Sequence, residues 1–147
     1  MRLVVQRVLR SSVKVNGICI GSIECGIMVL VGVHQADTEA IAVGMARKLA
    51  ELRIFEDEQG KMNRSVREIG GSVLAVSNFT LYGDCRKGRR PSFSEAAGGD
   101  RAKAIYEAFV SALSRLVPTQ SGRFGAEMQV EIINDGPVTL LLDSKID

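Results

Sequence analysis

Histidine is almost absent from this chain, and its scarcity excludes most metal and nucleophile chemistry. His34 is the only histidine among 147 residues, and no second histidine or cysteine follows at ligand spacing. A Ser-His-Asp triad would have to use His34 as its base, and the sequence has no Gly-x-Ser-x-Gly turn to present a serine. We therefore expect no metal site, no cofactor and no serine-hydrolase triad.

Cysteine is also scarce. The three cysteines, Cys19, Cys25 and Cys85, are odd in number and show no Cys-x-x-Cys spacing, so neither a disulfide framework nor a zinc ribbon is indicated. We expect reduced thiols. Cys19 and Cys25 fall in or beside apolar strands, where a free cysteine usually acts as a small hydrophobic residue.

Long apolar runs and a large net charge are missing too. No run approaches the roughly 20 residues that a membrane span needs, and the opening residues show no signal-peptide pattern. These absences predict a soluble, cytoplasmic protein that does not bind membranes. With 19 basic and 17 acidic residues, the net charge of +2 is too small to indicate nucleic-acid binding by itself. Any contact with RNA has to be local.

What the chain does contain is a strand-rich pattern. A β-branched run from Leu3 to Val15 is followed by Asn16-Gly17 and a second apolar run, Ile18 to Ile23. Asn-Gly predicts a tight hairpin because both turn positions favour positive φ. A turn at Cys25-Gly26 then leads into the apolar run Ile27 to Val31, which is typical of a strand covered on both faces. The first thirty-odd residues therefore predict a three-stranded meander.

Two later segments have the helical period. The apolar positions are Ile41, Met45, Leu49 and Leu52 in the first, and Ile105, Phe109, Ala112, Leu113 and Leu116 in the second. Asp37 or Thr38 is placed to cap the first helix, Asp100 is placed to cap the second, and Pro118 stops it. Further strands are expected at Ser72 to Val76 and on both sides of Gly136-Pro137. The pattern predicts one domain over residues 1–147, a mixed α/β fold in which two helices pack on a mixed sheet.

Two short motifs stand out from this framework. Ser77-Asn78-Phe79-Thr80-Leu81 places two hydroxyls and backbone N–H groups at a strand end, either as a polar turn or as a reactive site. Asn134-Asp135-Gly136-Pro137-Val138-Thr139 reads by default as a hairpin turn between two strands. X-Pro bonds, however, adopt the cis form at a cost of only about 0.5–1 kcal/mol. The Gly-Pro pair can therefore also present two carbonyls side by side.

With these two motifs the chain resembles the D-aminoacyl-tRNA deacylases, once named D-Tyr-tRNA deacylases. The resemblance spans essentially the whole sequence and includes four further segments: Met1 to Val8, Gly60 to Val66, Lys87 to Phe93 and Gly122 to Met128. One position departs from the family pattern, because the family usually has Gln where this chain has Asn78.

The resemblance implies a strand-rich, partly barrel-like fold, a homodimer and an esterase that releases free tRNA and a D-amino acid. Ser77, Phe79 and Thr80 would surround the scissile ester, where backbone N–H groups can stabilise the oxyanion. Two sources of the reactive hydroxyl stay open. One is Thr80, which has no histidine or lysine beside it in sequence, and the other is the terminal ribose 2′-hydroxyl of the tRNA.

The resemblance also implies how chirality is read. In the family the Gly136-Pro137 bond is cis and enters the partner subunit's pocket, where its main-chain oxygens face the substrate's α-amino group. An L side chain would then collide with a rigid peptide, whereas D side chains and glycine fit. Arg7 is a candidate brace for this motif, because a guanidinium offers five donors, with a solvated strand arginine as the alternative.

The remaining site predictions concern substrate contacts. Asn78 is a candidate for substrate binding and chiral selection. Met128 and Phe93 are candidates for packing near the terminal adenine or the active-site wall, although a core position is the alternative for this apolar pair. The cationic run supplies the candidate tRNA contacts Arg86, Lys87, Arg89 and Arg90, with a solvated loop as the alternative. Two other functions stay open: a deacylase with relaxed chirality, and a non-catalytic module that binds the tRNA 3′ end.

Overall fold

The computed structural model describes residues 1–145. The strands are β1 (Arg2–Val15), β2 (Ile18–Ile23), β3 (Gly26–Gly32), β4 (Phe55–Glu56), β5 (Met62–Arg64), β6 (Ser72–Ser77), β7 (Thr119–Ser121) and β8 (Gln129–Asp143). The helices are α1 (Glu39–Glu51), a one-turn 3-10 helix (Phe79–Tyr82) and α2 (Gly99–Ser114). β4 and β5 form a separate two-stranded ribbon.

β1 is the centre of the sheet. One edge of β1 pairs with β8 over nearly its whole length, from Arg2 opposite Asp143 to Lys14 opposite Gln129. The other edge pairs with β2 and then with β3, both antiparallel. The predicted meander is therefore wrong. A meander would place β2 between β1 and β3, but the chain does not reverse at the bend before Gly26, and β3 pairs with β1 as β2 does. The Asn16-Gly17 turn is confirmed, with φ values of 50° and 77°.

Two parallel pairings complete the sheet, β3 with β6 and β6 with β7. The larger core lies between the sheet and the two helices, and includes Leu49 of α1 and Phe109 of α2, both fully buried. A smaller core on the other face contains Val13 and Met28. A strand-rich, barrel-like mixed sheet with two packed helices confirms the predicted fold class.

The helix ends agree only in part with the predictions. Thr38 caps α1, and its hydroxyl accepts a hydrogen bond from the Ile41 N–H at 3.3 Å. Gly98, not Asp100, is the N-cap of α2, and it offers no side-chain hydrogen bond. The prediction for Asp100 is wrong because this residue lies inside the first turn, where its charge still interacts favourably with the helix dipole. α2 ends at Ser114, ahead of Pro118.

β8 was expected as two strands separated by Gly136-Pro137, but it is one strand with a bulge. Thr139 pairs with Gln6 and Asn134 pairs with Val8, so the four residues 135–138 stand opposite the single residue Arg7. Both flanks thus pair with β1 and not with each other, and the hairpin interpretation is wrong. The Gly136-Pro137 peptide bond is cis.

The cysteines lie at the surface. Cys19, Cys25 and Cys85 are all exposed free thiols. The prediction that Cys19 and Cys25 serve as small buried hydrophobic residues is wrong. Cys19 is on the outward face of β2, and Cys25 is in the bend before β3.

No helix within residues 1–145 is long and apolar enough to cross a membrane.

Candidate active site

A cavity of about 370 Å³ opens where β6 ends, beside the first turn of α2. Its walls are mainly apolar, as in most small-ligand sites. The lining residues are Val31, Val33, Ser77, Asn78, Phe79, Ala97, Gly99, Ala102, Phe124, Gly125, Ala126 and Met128. Four predicted site residues, Ser77, Asn78, Phe79 and Met128, therefore share one cavity.

The chain turns sharply at the rim of this cavity. Asn78 is extended (φ −150°, ψ 95°) and caps the 3-10 helix, with its Oδ1 accepting the Thr80 N–H at 3.1 Å. The Asn78 N–H donates to the Val31 carbonyl at 2.8 Å. The N–H of Phe79 has no acceptor within residues 1–145. The sequence predicted free backbone N–H groups at this strand end. In the structure, the free N–H is that of Phe79, a residue of the cavity wall.

Thr80 lies just outside the cavity lining. Its side chain is exposed, and its hydroxyl donates a short hydrogen bond to Asn78 Oδ1. Within the described part of the chain, no histidine, lysine or carboxylate is hydrogen-bonded to this hydroxyl. Thr80 therefore has a positioned proton but no base to remove it.

His34 is engaged elsewhere. The residue is buried, and its Nδ1 accepts a hydrogen bond from the Ala36 N–H at 2.9 Å, while its Nε2 lies 2.8 Å from Lys145 Nζ. Neither ring nitrogen is hydrogen-bonded to a serine or threonine. Among residues 1–145, no group of three histidine, cysteine or carboxylate side chains is arranged to hold a metal ion.

Two exposed aromatic rings stand at the mouth of the cavity. Phe79 and Phe93 meet edge to face, with their ring centroids 5.0 Å apart, and are 59% and 38% exposed. Exposed aromatic faces of this kind are typical platforms for nucleic-acid bases. Phe93 contacts the cavity residue Phe79 without lining the cavity itself.

Met128 forms another part of the cavity wall. A Cβ at Gly122 would approach Met128 Sδ to 2.6 Å, a distance that real side chains essentially never show. A side chain at position 122 would therefore displace the Met128 side chain. The glycine keeps this wall in place.

The cationic run lies in the exposed loop of residues 85–91, which the antiparallel bridge between Asp84 and Ser92 closes. Arg86 pairs with Asp84 at 2.7 Å. Hydrogen bonds from the side chain and the backbone N–H of Arg86 lower the pKa of Asp84 to about 2. Much of the positive charge on Arg86 is thus neutralised by Asp84 beside the loop. The other three cations, Lys87, Arg89 and Arg90, are exposed.

The bulge of β8 forms a second group of predicted site residues. Arg7 is only 7% exposed, and it donates to the Asp135 carbonyl at 3.2 Å and to the Ile54 carbonyl at 2.9 Å. Asn134 ties the base of the bulge together through hydrogen bonds to the Arg7 and Val138 carbonyls, both at 2.9 Å.

The two groups of site residues are separate within one chain. Gly136 and Pro137 are exposed at the tip of the bulge, and neither they nor Arg7 line the cavity described above.

Sequence reasoning missed several cavity residues. Ala97, Gly99 and Ala102 come from the start of α2 and carry no reactive group. Phe124, Gly125 and Ala126 lie in a segment that carried the family resemblance, and that segment was the available signal for them.

Comparisons with known proteins agree on one family. A sequence model described as D-Tyr-tRNA(Tyr) deacylase matches residues 4–143. A curated D-aminoacyl-tRNA deacylase of Geobacillus sp. (strain WCH70) is 58% identical over 146 residues, which cover 99% of this chain and 96% of the relative. One of Heliobacterium modesticaldum is also 58% identical, with 99% and 97% covered.

Two solved structures are similar as well. One, named c-Myc DNA Unwinding Element Binding Protein, has a TM-score of 0.92 and 43% identity, with 98% of this chain and 99% of that chain covered. Another, titled as a probable eukaryotic D-amino acid tRNA deacylase, has a TM-score of 0.82 over 96% of this chain and 97% of that one. At 18% identity, it shows the fold alone.

Fold, cavity and relatives together define a hydrolase. The chain belongs to the D-aminoacyl-tRNA deacylase family, and the resemblance seen in its sequence is confirmed. Its activity is that of a D-aminoacyl-tRNA deacylase, which acts on the ester bond between an amino acid and tRNA.

Proposed function

We propose that the cavity binds the aminoacylated 3′ end of tRNA in the cytoplasm, hydrolyses D-aminoacyl and glycyl esters, and rejects L-aminoacyl esters through Gly136-Pro137 of a second copy of the chain. One observation carries the proposal. The cavity of a single chain holds Ser77, Asn78 and Phe79, whereas Gly136 and Pro137 are exposed on a bulge outside it. A gate made by the bulge therefore has to come from a partner subunit.

Catalysis rests on positioning. The unpaired N–H of Phe79 donates to the oxygen of the ester carbonyl as negative charge develops there, a contribution worth about 2.7–4 kcal/mol for one donor. Water adds to the carbonyl carbon, the bond to the ribose oxygen breaks, and that oxygen takes up a proton. The products are the free amino acid and tRNA.

The 2′-hydroxyl of the terminal ribose, and not Thr80, assists the attacking water. Thr80 does not line the cavity, and no base contacts its hydroxyl within residues 1–145. A substrate hydroxyl held next to the reacting carbonyl gains its effect from proximity alone. Thr80 contributes by its hydrogen bonds with Asn78, which hold the turn at the cavity rim.

The bulge lies on a surface suited to a second copy. β8 is an edge strand of 15 residues, and such a long edge is usually covered. Three leucines on β1 and β8 are strongly exposed: Leu9 at 55%, Leu140 at 40% and Leu141 at 58%. A homodimer that covers them would carry each bulge toward the partner's cavity. The planar peptide at Gly136-Pro137 then leaves no room for an L side chain, while a D side chain points outward.

Substrate breadth follows from such a gate. Main-chain atoms read the position of the side chain and not its identity, so many D-amino acids are accepted. D-Tyr and D-Asp esters on their cognate tRNAs should differ less than about a hundredfold in kcat/KM, a limit of about 2.7 kcal/mol. A larger difference would mean that side-chain identity is read.

The cationic loop supplies positive charge for the tRNA phosphates through Arg86, Lys87, Arg89 and Arg90. The KM for charged tRNA should therefore rise with salt concentration.

The test is the release of labelled tyrosine from D-Tyr-tRNA and L-Tyr-tRNA at matched, limiting enzyme. Loss from the D ester alone supports both the site and the gate. Loss from both esters indicates relaxed chirality at Gly136-Pro137. Loss from neither indicates a module that binds the tRNA 3′ end without hydrolysis.

A further inference from the structure

A second concavity, of about 420 Å³, adjoins the active-site cavity. One wall is a single face of α2, where Lys103, Glu107 and Val110 recur at helical spacing. The other wall is the segment from Ser121 to Phe124 that follows β7. We call this concavity the α2 groove.

The α2 groove begins where the cavity ends. Phe124 lines both concavities, and on α2 the cavity residue Ala102 is followed directly by the groove residue Lys103. Phe124 is half-buried and packs against Tyr106, with ring centroids 5.8 Å apart. A chain that leaves the cavity past Phe124 therefore enters this groove.

The chemistry of the groove fits a nucleotide. Lys103 and Arg123 are exposed on opposite walls, and neither side chain has an ion pair or hydrogen bond within residues 1–145. Glu107 is the one acidic residue of the lining, so the walls carry a net single positive charge. Cations on two sides with an aromatic ring at one end are the usual elements of single-strand binding, in which bases stack and phosphates are neutralised.

We propose that the α2 groove binds the penultimate nucleotide of the tRNA 3′ end, with Lys103 and Arg123 contacting the phosphates on either side of it. The inference rests on the proposed function, which places the terminal nucleotide in the cavity. It assigns the single-stranded end to the groove and not to the loop of residues 85–91, where Arg86 is already paired with Asp84.

The experiment compares two substrates of one reaction. D-Tyr-tRNA has the upstream nucleotides, and the D-tyrosyl ester of adenosine lacks them. The measured quantity is the ratio of kcat/KM for D-Tyr-tRNA to kcat/KM for the adenosine ester. The variants are K103E/R123E, the loop variant R89E/R90E, and the control R47E/K61E, which changes the net charge equally at exposed positions outside the groove, on α1 and in the β4–β5 ribbon.

We expect K103E/R123E to lower the ratio at least tenfold and R47E/K61E to change it less than twofold. For the milder K103A/R123A, the slope of log(kcat/KM) against log[salt] should become shallower by about 1.4, which corresponds to two single-strand phosphate contacts. This variant carries the test if the charge reversal lowers the melting temperature.

Three results would overturn the proposal. One is an unchanged ratio in a folded K103E/R123E variant, and another is an unchanged salt slope in K103A/R123A. The third is a tenfold fall in R89E/R90E without one in K103E/R123E. If the wild type hydrolyses neither substrate, the proposed function fails. The groove is then tested separately by the binding of uncharged tRNA: a loss of affinity of at least tenfold in K103E/R123E supports it, and a smaller loss overturns it.

Discussion

The cavity rim and the β8 bulge differ in how the backbone leaves the regular strand. At the rim, the chain turns so tightly after β6 that the side chain of Asn78 accepts a hydrogen bond from the Thr80 N–H, and the N–H of Phe79, a residue of the cavity wall, has no acceptor within residues 1–145. At the bulge, a strand is pushed outward, and the buried guanidinium of Arg7 supports it from beneath. One region holds an unsatisfied donor, and the other projects main-chain atoms into solvent.

Under the proposed function, neither region is complete alone. The cavity of one chain contains no part of the bulge that would read chirality, and the exposed bulge lines no cavity of its own chain. The rim should therefore control the rate for every ester, whereas the bulge should control only the ratio between D and L esters. Each variant below is a way to separate these two roles.

The largest effect is expected at the rim. Phe79→Pro removes the N–H and the ring, whereas Phe79→Ala removes the ring alone. Proline fits the first position of a helix, and extended Asn78 suits a residue that precedes proline. We expect Phe79→Pro to lower single-turnover hydrolysis of D-Tyr-tRNA by about 10²–10³-fold relative to Phe79→Ala. Equal rates in the two folded variants would exclude the N–H as the oxyanion donor.

The next effect is expected at the bulge. Gly136 has a φ of 125°, and a Cβ there would lie 2.9 Å from Val138 Cγ2 and 3.1 Å from Arg7 Nη2. Gly136→Ala should displace the bulge and lower the D-to-L ratio of kcat/KM by about tenfold, since backbone strain of this kind costs roughly 1–3 kcal/mol.

The control for this variant is Gly44→Ala, at a helical glycine of α1 with open space around it. It should leave the D-to-L ratio unchanged. A Gly136→Ala enzyme that slows on D and L esters alike would show that the bulge acts on the rate and not on chirality.

A smaller effect is expected at Thr80. Thr80→Ala loses the hydroxyl that is bonded to Asn78 but keeps the backbone N–H that Asn78 also holds. We expect single-turnover hydrolysis to fall by less than about tenfold, the equivalent of one hydrogen bond of about 1 kcal/mol. A loss of about 10⁴-fold, as for a member of a catalytic triad, would make Thr80 the nucleophile after all.

The smallest effect concerns the loop beyond the rim. Because Arg86 lowers the pKa of Asp84 to about 2, the pair stabilises the loop above the ordinary carboxyl pKa of 3.8, and this stabilisation is lost as the pH falls from 3.8 through about 2. Carboxyl NMR titration should give a midpoint near 2 in the wild type and a higher one, still below 3.8, in Arg86→Ala, which loses the side-chain hydrogen bonds but keeps the backbone N–H. A wild-type midpoint near 3.8 would show that the pair does not form in solution.

Local signals in the sequence predicted the local structure well. Asn16-Gly17 predicted the hairpin because both residues have to adopt positive φ, and Thr38 predicted a helix start because its hydroxyl satisfies a free N–H. The path of β8 was not predictable in this way. Gly136-Pro137 has the composition of a turn, and only pairing with the distant strand β1 makes it a bulge.

The site was predictable where residues carry polar groups or belong to a family motif. Ser77, Asn78, Phe79 and Met128 were singled out in the sequence and share the cavity, while their roles stay predictions. Ala97 and Phe124 complete the same walls but resemble ordinary core residues in sequence. The state of the Phe79 N–H was equally hidden, because it depends on which carbonyls the neighbouring N–H groups reach.

The pairing of β1 with β8 has a consequence for how the protein is made. Val4 lies opposite Leu141 in the register, so the strand that is synthesised first can pair only after the last strand has been synthesised. Until Gln129–Asp143 leave the ribosome, one whole edge of β1 is open, and such edges recruit chaperones or other chains. The many contacts between distant residues also predict slow folding. The bulge that carries Gly136 and Pro137 can form only in this last step, so the proposed chiral gate would be assembled after the strand end Ser72–Ser77 that borders the cavity.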